Sequence, residues 1–323
     1  MALNKVALLA ACAIALSINL TGQAYAQIAY GVNAAGNLFR FNVATPGNVT
    51  VIGPVQSGGT AFLPEGIDFR PSTSTLFAID VGPNTTQLYT IDLSTAAATA
   101  VGAGFTSSGV VPAAYNLTGN QTFGFDFNPT TLQADGSIRI RLVGTNGVNL
   151  RLNSDTGAIA AVDGNLIIQP GGASPFVDAV AYGNNFASMG GTTTLYDMDS
   201  RNNKLYDQTP ANSGQLNEIG PFGVTIDAQR NIGFDIYSTP NFDFGLAVFT
   251  RPDAPTGGTT PIGSYLLYDV NLATGATTNG RVVGPAATPF DFEGGFAVLI
   301  PEPTTLVGLL AIGSILALRR DLI

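Results

Sequence analysis

The chain has 323 residues, of which only 11% are charged, and its net charge is −9. An acidic surface repels phosphate backbones, so we expect no nucleic-acid partner. The sequence contains no histidine and one cysteine, Cys12. Because Cys12 lies in a leader that we expect to be removed, the composition excludes serine–histidine–aspartate and cysteine–histidine catalysis and the usual zinc sites.

The first 26 residues have the pattern of a secretory signal peptide. Lys5 supplies a positive charge, and residues 6–20 are almost entirely apolar. Ala24-Tyr25-Ala26 fits the small-x-small cleavage pattern, which predicts cleavage between Ala26 and Gln27. A membrane anchor is the alternative, but the apolar run is short for that role. We therefore expect export through the Sec machinery and a mature chain without disulfide or thiol chemistry.

Residues 28–300 have the pattern of an all-β protein. Short alternating or apolar runs are separated by turns rich in glycine, proline, asparagine and threonine, and no stretch holds a convincing 3.6-residue period. The 39 glycines and 19 prolines of the chain suit strands joined by tight turns.

One motif recurs along this region, and its best copy is Phe123-Gly124-Phe125-Asp126-Phe127-Asn128-Pro129. The central positions of the five copies are 68, 126, 181, 235 and 291, which lie 58, 55, 54 and 56 residues apart. A nearly fixed period of this size indicates a repeat architecture. The other copies are Gly66-Ile67-Asp68-Phe69-Arg70-Pro71, Ala179-Val180-Ala181-Tyr182, Gly233-Phe234-Asp235-Ile236 and Pro289-Phe290-Asp291-Phe292.

The best-preserved unit predicts four antiparallel strands, at 66–70, 75–80, 87–93 and 97–102. Four such strands are the content of one propeller blade, and five motif copies favour a five-bladed β-propeller. A six-bladed ring and a pair of β-sandwiches stay open, because long insertions occur at 103–121 and 239–263.

The two ends of this region complement each other. Residues 28–53 already contain later strands of a unit before the first motif copy, and the last copy, at 290–299, has no later strands after it. Pairing the chain ends would complete one blade, and the closed ring would leave no open sheet edge between the ends.

Four aspartates occupy the centre of the repeat, namely Asp68, Asp126, Asp235 and Asp291, whereas Ala181 stands in the fifth copy. In a propeller these carboxylates could face the central channel and bind a hard cation such as Ca²⁺, or act as acid and base in glycoside hydrolysis. The structural alternative is that each carboxylate accepts backbone N–H groups. We favour that alternative and expect no cofactor, because repetition signals structure whereas catalysis needs asymmetry.

Two smaller features also have both a functional and a structural interpretation. Asp197-Met198-Asp199-Ser200-Arg201 begins like a calcium loop but lacks the later ligands, so it is predicted to be a strand end and turn. Tyr115, Phe242 and Phe244 lie in the insertions, where they could stack on sugars or cap the core beneath long loops.

The C-terminus has three parts: Pro301-Glu302-Pro303, the apolar run 306–318, and Arg319-Arg320. A 13-residue helix is only about 20 Å long, which is short of the hydrocarbon core of a bilayer. In kind and order these parts resemble the PEP-CTERM sorting signal of Gram-negative bacteria that produce exopolysaccharide. The resemblance implies recognition and cleavage by an exosortase after transient anchoring in the inner membrane. A plain tail anchor is the alternative.

The body of the chain, over most of residues 28–299, is similar to the DUF4394 domain. The similarity rests on the segments 66–71, 88–92, 123–129 and 149–157. It implies a propeller-like secreted domain and transfers no catalytic residue.

The sequence thus predicts a signal peptide at 1–26, a propeller at 27–300 and a sorting signal at 301–323. Our first hypothesis is an exported, non-enzymatic binding or structural protein of the cell surface or extracellular matrix, with exopolysaccharide or envelope components as partners. A carboxylate-dependent glycoside hydrolase acting on extracellular polysaccharide is the alternative.

Overall fold

The structure is a computed structural model, and it describes residues 27–108, 116–119, 121–129, 137–185, 192–227, 232–239, 242–250, 264–285, 291–293 and 295–299. The predicted signal peptide and sorting signal therefore lie outside the described residues. Within these ranges the only helix is a single 3₁₀ turn, Ala211–Ser213. None of the described residues forms a helix that is long and apolar enough to span a membrane.

Five antiparallel sheets, the blades, account for nearly all of the strands. Blade 1 contains β1 (Ile28–Val32), β2 (Asn37–Asn42), β3 (Val49–Pro54) and β23 (Phe296–Val298). Blade 2 contains β6 (Gly66–Arg70), β7 (Thr75–Val81), β8 (Thr85–Ile91) and β9 (Ala98–Thr106). Blade 3 contains β10 (Phe123–Phe127), β11 (Arg139–Gly144), β12 (Asn149–Asn153) and β13 (Ile159–Val162).

The other two blades follow in chain order. Blade 4 contains β15 (Val177–Tyr182), β16 (Leu195–Asp199), β17 (Lys204–Gln208) and β18 (Gln215–Pro221), and β14 (Ile167–Gln169) pairs in parallel with its outer strand. Blade 5 contains β19 (Gly233–Ser238), β20 (Asp243–Thr250), β21 (Tyr265–Val270) and β22 (Thr277–Val282). A small hairpin, β4 (Gln56–Ser57) with β5 (Thr60–Ala61), lies between blades 1 and 2 in the chain.

The prediction of a five-bladed propeller closed by its chain ends is confirmed. Strand β23 pairs with β1, with Ala29 opposite Val298 and Tyr30 opposite Ala297. The described residues form five blades around one axis, so the six-bladed ring and the sandwich pair were wrong. The added strand β14 was not predicted, because its parallel pairing with β18 joins segments far apart in sequence.

The last motif copy was placed too early in the chain. The innermost strand of blade 1 is β23, which begins at Phe296, whereas Asp291 precedes that strand and is exposed. The segment resembled the motif because Phe290-Asp291-Phe292 repeats its aromatic–Asp–aromatic pattern. The pairing partner, β1, is known only once the ring has closed.

The hydrophobic core lies between neighbouring blades. One cluster joins Phe77, Ile79 and Leu88 of blade 2 to Phe127 and Leu142 of blade 3. The rings of Phe77 and Phe127 meet edge to face, with centroids 5.0 Å apart. Alternating apolar residues on each strand face the next blade, so each sheet contributes to two interfaces.

The innermost strands β23, β6, β10, β15 and β19 surround the axis in parallel. We call the end at which they begin the mouth. We call the opposite end the exit face, because β1 begins and β23 ends there, and the N–H of Leu299 bonds to the carbonyl of Ile28 at 2.8 Å.

Glycine recurs in these strands because their backbones approach closely. A Cβ on Gly66 would lie 2.6 Å from Cβ of Phe125, and one on Gly124 would lie 2.8 Å from the backbone nitrogen of Val180. A Cβ on Gly233 would lie 2.3 Å from Cβ of Phe296. The repeated Gly-x-Asp motif therefore begins with glycine because the closely spaced strands leave no room for a side chain at this position.

We predict that Gly233→Ala lowers the free energy of unfolding by about 1–3 kcal/mol, because the added methyl group overpacks the contact with Phe296. Urea denaturation measures the change. Gly47→Ala is the control, because its Cβ would meet nothing closer than the Gly284 carbonyl at 3.6 Å on the exposed surface. Equal stability of the two variants would contradict the steric role of this glycine.

Candidate functional site

Three buried aspartates form a ring inside the channel. Asp68 accepts the N–H of Phe69 at 2.7 Å through Oδ1 and the N–H of Phe127, on the next blade, at 2.8 Å through Oδ2. The three side chains are Asp68, Asp126 and Asp235, and one carboxylate oxygen from each lies within 4.8 Å of the other two.

The other two aspartates make the same kind of contact. Asp126 Oδ2 accepts the N–H of Tyr182 at 2.9 Å. Asp235 accepts the N–H of Ile236 at 2.6 Å and that of Val298 at 2.5 Å. Three carboxylates therefore satisfy one N–H on each of the five innermost strands, and five of their six oxygens accept backbone donors.

The two alanines of the repeat explain the uneven distribution of these bonds. Ala181 and Ala297 stand where an aspartate would bind the next strand, so Asp235 and Asp68 each bind the N–H of the residue that follows them. Every buried donor at this level is satisfied, as a stable interior requires. Blade 1 thus carries Ala297 at the repeat position, and Asp291 is not part of the ring.

Burial and mutual repulsion keep protons on the ring. Burial raises the pKa of Asp68 to about 7, although its backbone donors oppose the shift. Burial and the neighbouring carboxylates raise the pKa values of Asp126 and Asp235 well above the ordinary range. The spacing alone would suit a cation, but the oxygens already accept N–H groups, and shared protons reduce the negative charge.

A cavity of about 200 Å³ opens at the mouth of the channel. We call it the mouth pocket. All five blades contribute to it at or just before their innermost strands, and its polar lining consists of Glu65, Gln121, Thr122, Asp178 and Glu293. The ring position holds only aspartate or alanine, whereas the polar lining of the mouth pocket combines glutamate, glutamine, threonine and aspartate.

Two acids of the mouth pocket have raised pKa values. Burial raises the pKa of Glu65 to about 7, although its Oε2 accepts the N–H of Val81 at 2.8 Å. Burial raises the pKa of Asp178 to about 8, and the nearby negative charge of Asp199 adds to the shift. Asp178 is held by the backbone N–H of Ser200 at 3.4 Å and its hydroxyl at 2.5 Å. At pH 7 Asp178 is therefore mainly protonated and Glu65 about half protonated, and a protonated carboxyl can donate a hydrogen bond.

Two residues of the pocket lining also carry neutral side-chain oxygens without a partner in the described part of the chain. The Oε1 atom of Gln121 and the Oγ1 atom of Thr122 are buried and have no hydrogen-bond partner among the described residues. The amide nitrogen of Gln121 donates to the carbonyls of Asn116 and Thr118 at 3.2 and 2.9 Å, which fixes the direction of the side chain. A buried acceptor without a partner costs free energy that a hydroxyl donor would recover.

The channel narrows below the mouth pocket. The narrow part, which we call the waist, is a cavity of about 20 Å³ whose lining includes Gly66, Gly124, Gly233 and Gly295. That volume suits about one water molecule. A ligand entering from the mouth therefore stops at the level of Glu65 and Asp178 and does not reach the aspartate ring.

Sequence reasoning had missed the pocket acids. Glu65 and Asp178 lie three residues before the repeat positions 68 and 181, where blades 3 and 5 have Phe123 and Ile232. The signal in the sequence is a position, three residues before the centre of each motif copy, at which the residue changes from blade to blade while the motif itself repeats.

Segment 197–201 is the end of β16 and a turn, as predicted, in which Asp199 accepts the N–H groups of Asn202 and Phe176 at 2.8 and 2.9 Å. Phe242 and Phe244 do not cap the core, because they are 68% and 42% exposed. Tyr115 lies outside the described residues.

We predict that the protein is less stable at pH 8.5 than at pH 5.5, with a melting temperature several degrees lower. A carboxyl whose pKa is raised by folding stabilises the fold at low pH, and this contribution is lost as the pH rises through its folded-state pKa. For Asp68 the loss begins near the unfolded-state pKa of 3.8 and ends near the folded value of about 7, so about half of it falls between pH 5.5 and pH 7.

Asp126→Asn tests the origin of that pH dependence, because the amide oxygen can still accept the N–H of Tyr182. We expect a smaller difference in melting temperature between the two pH values than in the wild type. Asp291→Asn is the matched control from the exposed motif copy and should retain the full difference. An unchanged pH dependence in Asp126→Asn would reject the ring as its source.

Comparison with solved structures finds matches at low sequence identity. A protein from Bifidobacterium bifidum assigned as an exo-β-1,3-galactanase matches with 11% identity and a TM-score of 0.46, covering 81% of this chain and 92% of that chain. An α-L-arabinofuranosidase from Clostridium thermocellum matches with 12% identity and a TM-score of 0.43, covering 83% and 97%. A chain of a nidogen–laminin complex matches with 11% identity and a TM-score of 0.40, covering 85% and 99%.

No curated protein matches the sequence. A family described as a domain of unknown function, DUF4394, matches residues 37–291. This range contains most of the propeller and stops just before the strand that closes the ring. The chain therefore belongs to the DUF4394 family.

Proposed function

We propose that this protein is an exported binding module that holds the end of a neutral carbohydrate chain in the mouth pocket. One observation carries the proposal: polar groups of different kinds converge from several blades on a cavity of about 200 Å³. A concave site with a few convergent polar groups is the usual form of a small-ligand site.

The chemistry of the lining favours a polyhydroxylated ligand. Protonated Glu65 and Asp178 would donate hydrogen bonds, and the unpartnered oxygens of Gln121 and Thr122 would accept them. Sugar hydroxyls do both. The three acids and the net charge of −9 disfavour an anionic ligand.

The size and depth of the pocket favour the end of a chain rather than its middle. A volume of about 200 Å³ lies below the range typical of drug-sized ligands, so it suits a unit as small as a single sugar. The waist blocks passage along the axis. The proposal needs no cofactor, because the chain itself supplies the donors and acceptors.

The terminal segments support the proposed location. A signal peptide cleaved between Ala26 and Gln27 would direct export by the Sec machinery, and a sorting signal from Pro301 to Arg320 would bring the protein to an exosortase through transient membrane anchoring. At the cell surface or in the matrix, exopolysaccharide and envelope components are the partners that we propose.

We predict that Asp178→Ala and Glu65→Ala each weaken binding of oligosaccharides from the producing bacterium's exopolysaccharide by about tenfold, because one hydrogen-bonding group is lost. Calorimetric titration of the full chain in detergent measures the change. Glu218→Ala is the control, because Glu218 lies on β18, away from the mouth-pocket lining, where it forms an exposed ion pair with Lys204. Equal affinity in all variants would remove the mouth pocket from the binding function.

A glycoside hydrolase is the second candidate, and the specific observation in its favour is the pair of unequal acids. Asp178, with a pKa of about 8, would remain protonated at neutral pH and could serve as a general acid, while Glu65 is partly ionised. Glycosidases use two carboxyl groups in such unequal roles. These residues replace the ring aspartates in the enzymatic hypothesis.

If this candidate holds, incubation with the same oligosaccharides will release reducing ends, and the rate will fall as the pH rises above about 8, since the acid loses its proton. Asp178→Asn should then abolish release, whereas Asp291→Asn should not. Absence of release from the wild type, with binding intact, would leave the binding module.

A further inference from the structure

The exit face carries two exposed phenylalanines beside the chain ends. The hairpin between β19 and β20 extends past the end of β23, because Asp235 is level with Val298 and the hairpin starts three residues later at Ser238. Phe242 and Phe244 lie on this hairpin and are 68% and 42% exposed.

The aromatic side chains form a continuous group. Phe244 stacks on Tyr237 with centroids 4.8 Å apart and an interplanar angle of 10°. Phe242 lies 6.4 Å from Phe244. Tyr237 packs against the cluster that contains Ala29 and Val298, the first and last strands of the ring. The group, which we call the aromatic ledge, therefore lies next to the point where the chain leaves the propeller.

The neighbouring charge is turned away from the ledge. Asp243 accepts the hydroxyl of Ser238 at 2.5 Å and the N–H of Asn184 at 3.0 Å. Its carboxylate is thus held by the propeller body, while the rings of Phe242 and Phe244 stay exposed.

The distance to the apolar tail is short. The described chain ends at Leu299, and the apolar run begins at Leu306. The six residues between them span at most about 20 Å when extended. If the run lies in a membrane, the exit face is therefore held against the bilayer surface.

We propose that the aromatic ledge is a membrane-contact surface that rests in the bilayer interface while the tail is anchored, with the mouth pocket facing away from the lipid. Aromatic side chains partition favourably into the interface. The inference rests on the proposed membrane role of the tail, and it adds an orientation that this role does not specify.

Tryptophan substitution tests the orientation, since the chain contains no tryptophan. Full-length Phe242→Trp would be reconstituted into phosphatidylethanolamine–phosphatidylglycerol vesicles, with or without brominated acyl chains. Leu63→Trp is the matched control, because Leu63 is 38% exposed and lines the mouth pocket at the other end. We expect brominated lipid to quench Phe242→Trp by about twofold, with a blue-shifted emission, and to leave Leu63→Trp unchanged.

Each other outcome counts against the proposal. Flotation of the protein with the vesicles but equal emission in both lipids would reject the ledge while leaving the tail anchor intact. Quenching of Leu63→Trp instead would reverse the orientation. Failure to float would reject the tail's membrane role, and this inference with it, without bearing on the mouth pocket. Phe244→Trp repeats the test if Phe242→Trp does not retain the wild-type melting temperature.

Discussion

The close approach of five parallel strands around one axis is the constraint on which the rest of the structure depends. Strands this near one another leave no room for side chains at the level of Gly66, Gly124 and Gly233. They also bury N–H groups that point towards the axis rather than into a sheet. The aspartate ring satisfies these donors, and its carboxylates are stable there because burial favours their protonated forms.

The side chains that surround the axis differ between the aspartate ring, the waist and the mouth pocket. At the ring and the waist, aspartate, alanine and glycine recur from blade to blade, because each blade meets the same packing problem. At the mouth, Glu65, Gln121 and Asp178 differ from one another, so the pocket is asymmetric. Asymmetry is what recognition of one ligand requires, and a repeat fold can supply it only at positions where packing does not dictate the residue.

The chain ends give the propeller a direction. Because β1 and β23 share a sheet, the N-terminus and the C-terminal tail leave from one face, and the mouth pocket lies at the other. A tail that is held in a membrane would then present the pocket to the surroundings. The pairing of β1 with β23 therefore has two consequences. It closes the ring, which leaves no open sheet edge, and it leaves the proposed site accessible at the other face.

The sequence by itself determined the all-β class and the period and favoured five blades, because strand alternation, glycine turns and the recurring Gly-x-Asp are local patterns. It also suggested that the ring aspartates are structural. It misplaced the last innermost strand at Asp291, since only pairing with β1 identifies Phe296–Val298.

Only the tertiary structure brought Glu65 and Asp178 to one cavity and raised their pKa values, because burial and proximity across blades arise from ring closure. Only the tertiary structure, likewise, placed the aromatic ledge beside the chain ends. Residues more than a hundred positions apart become neighbours when the blades close around the axis, and no local pattern in the sequence records that contact.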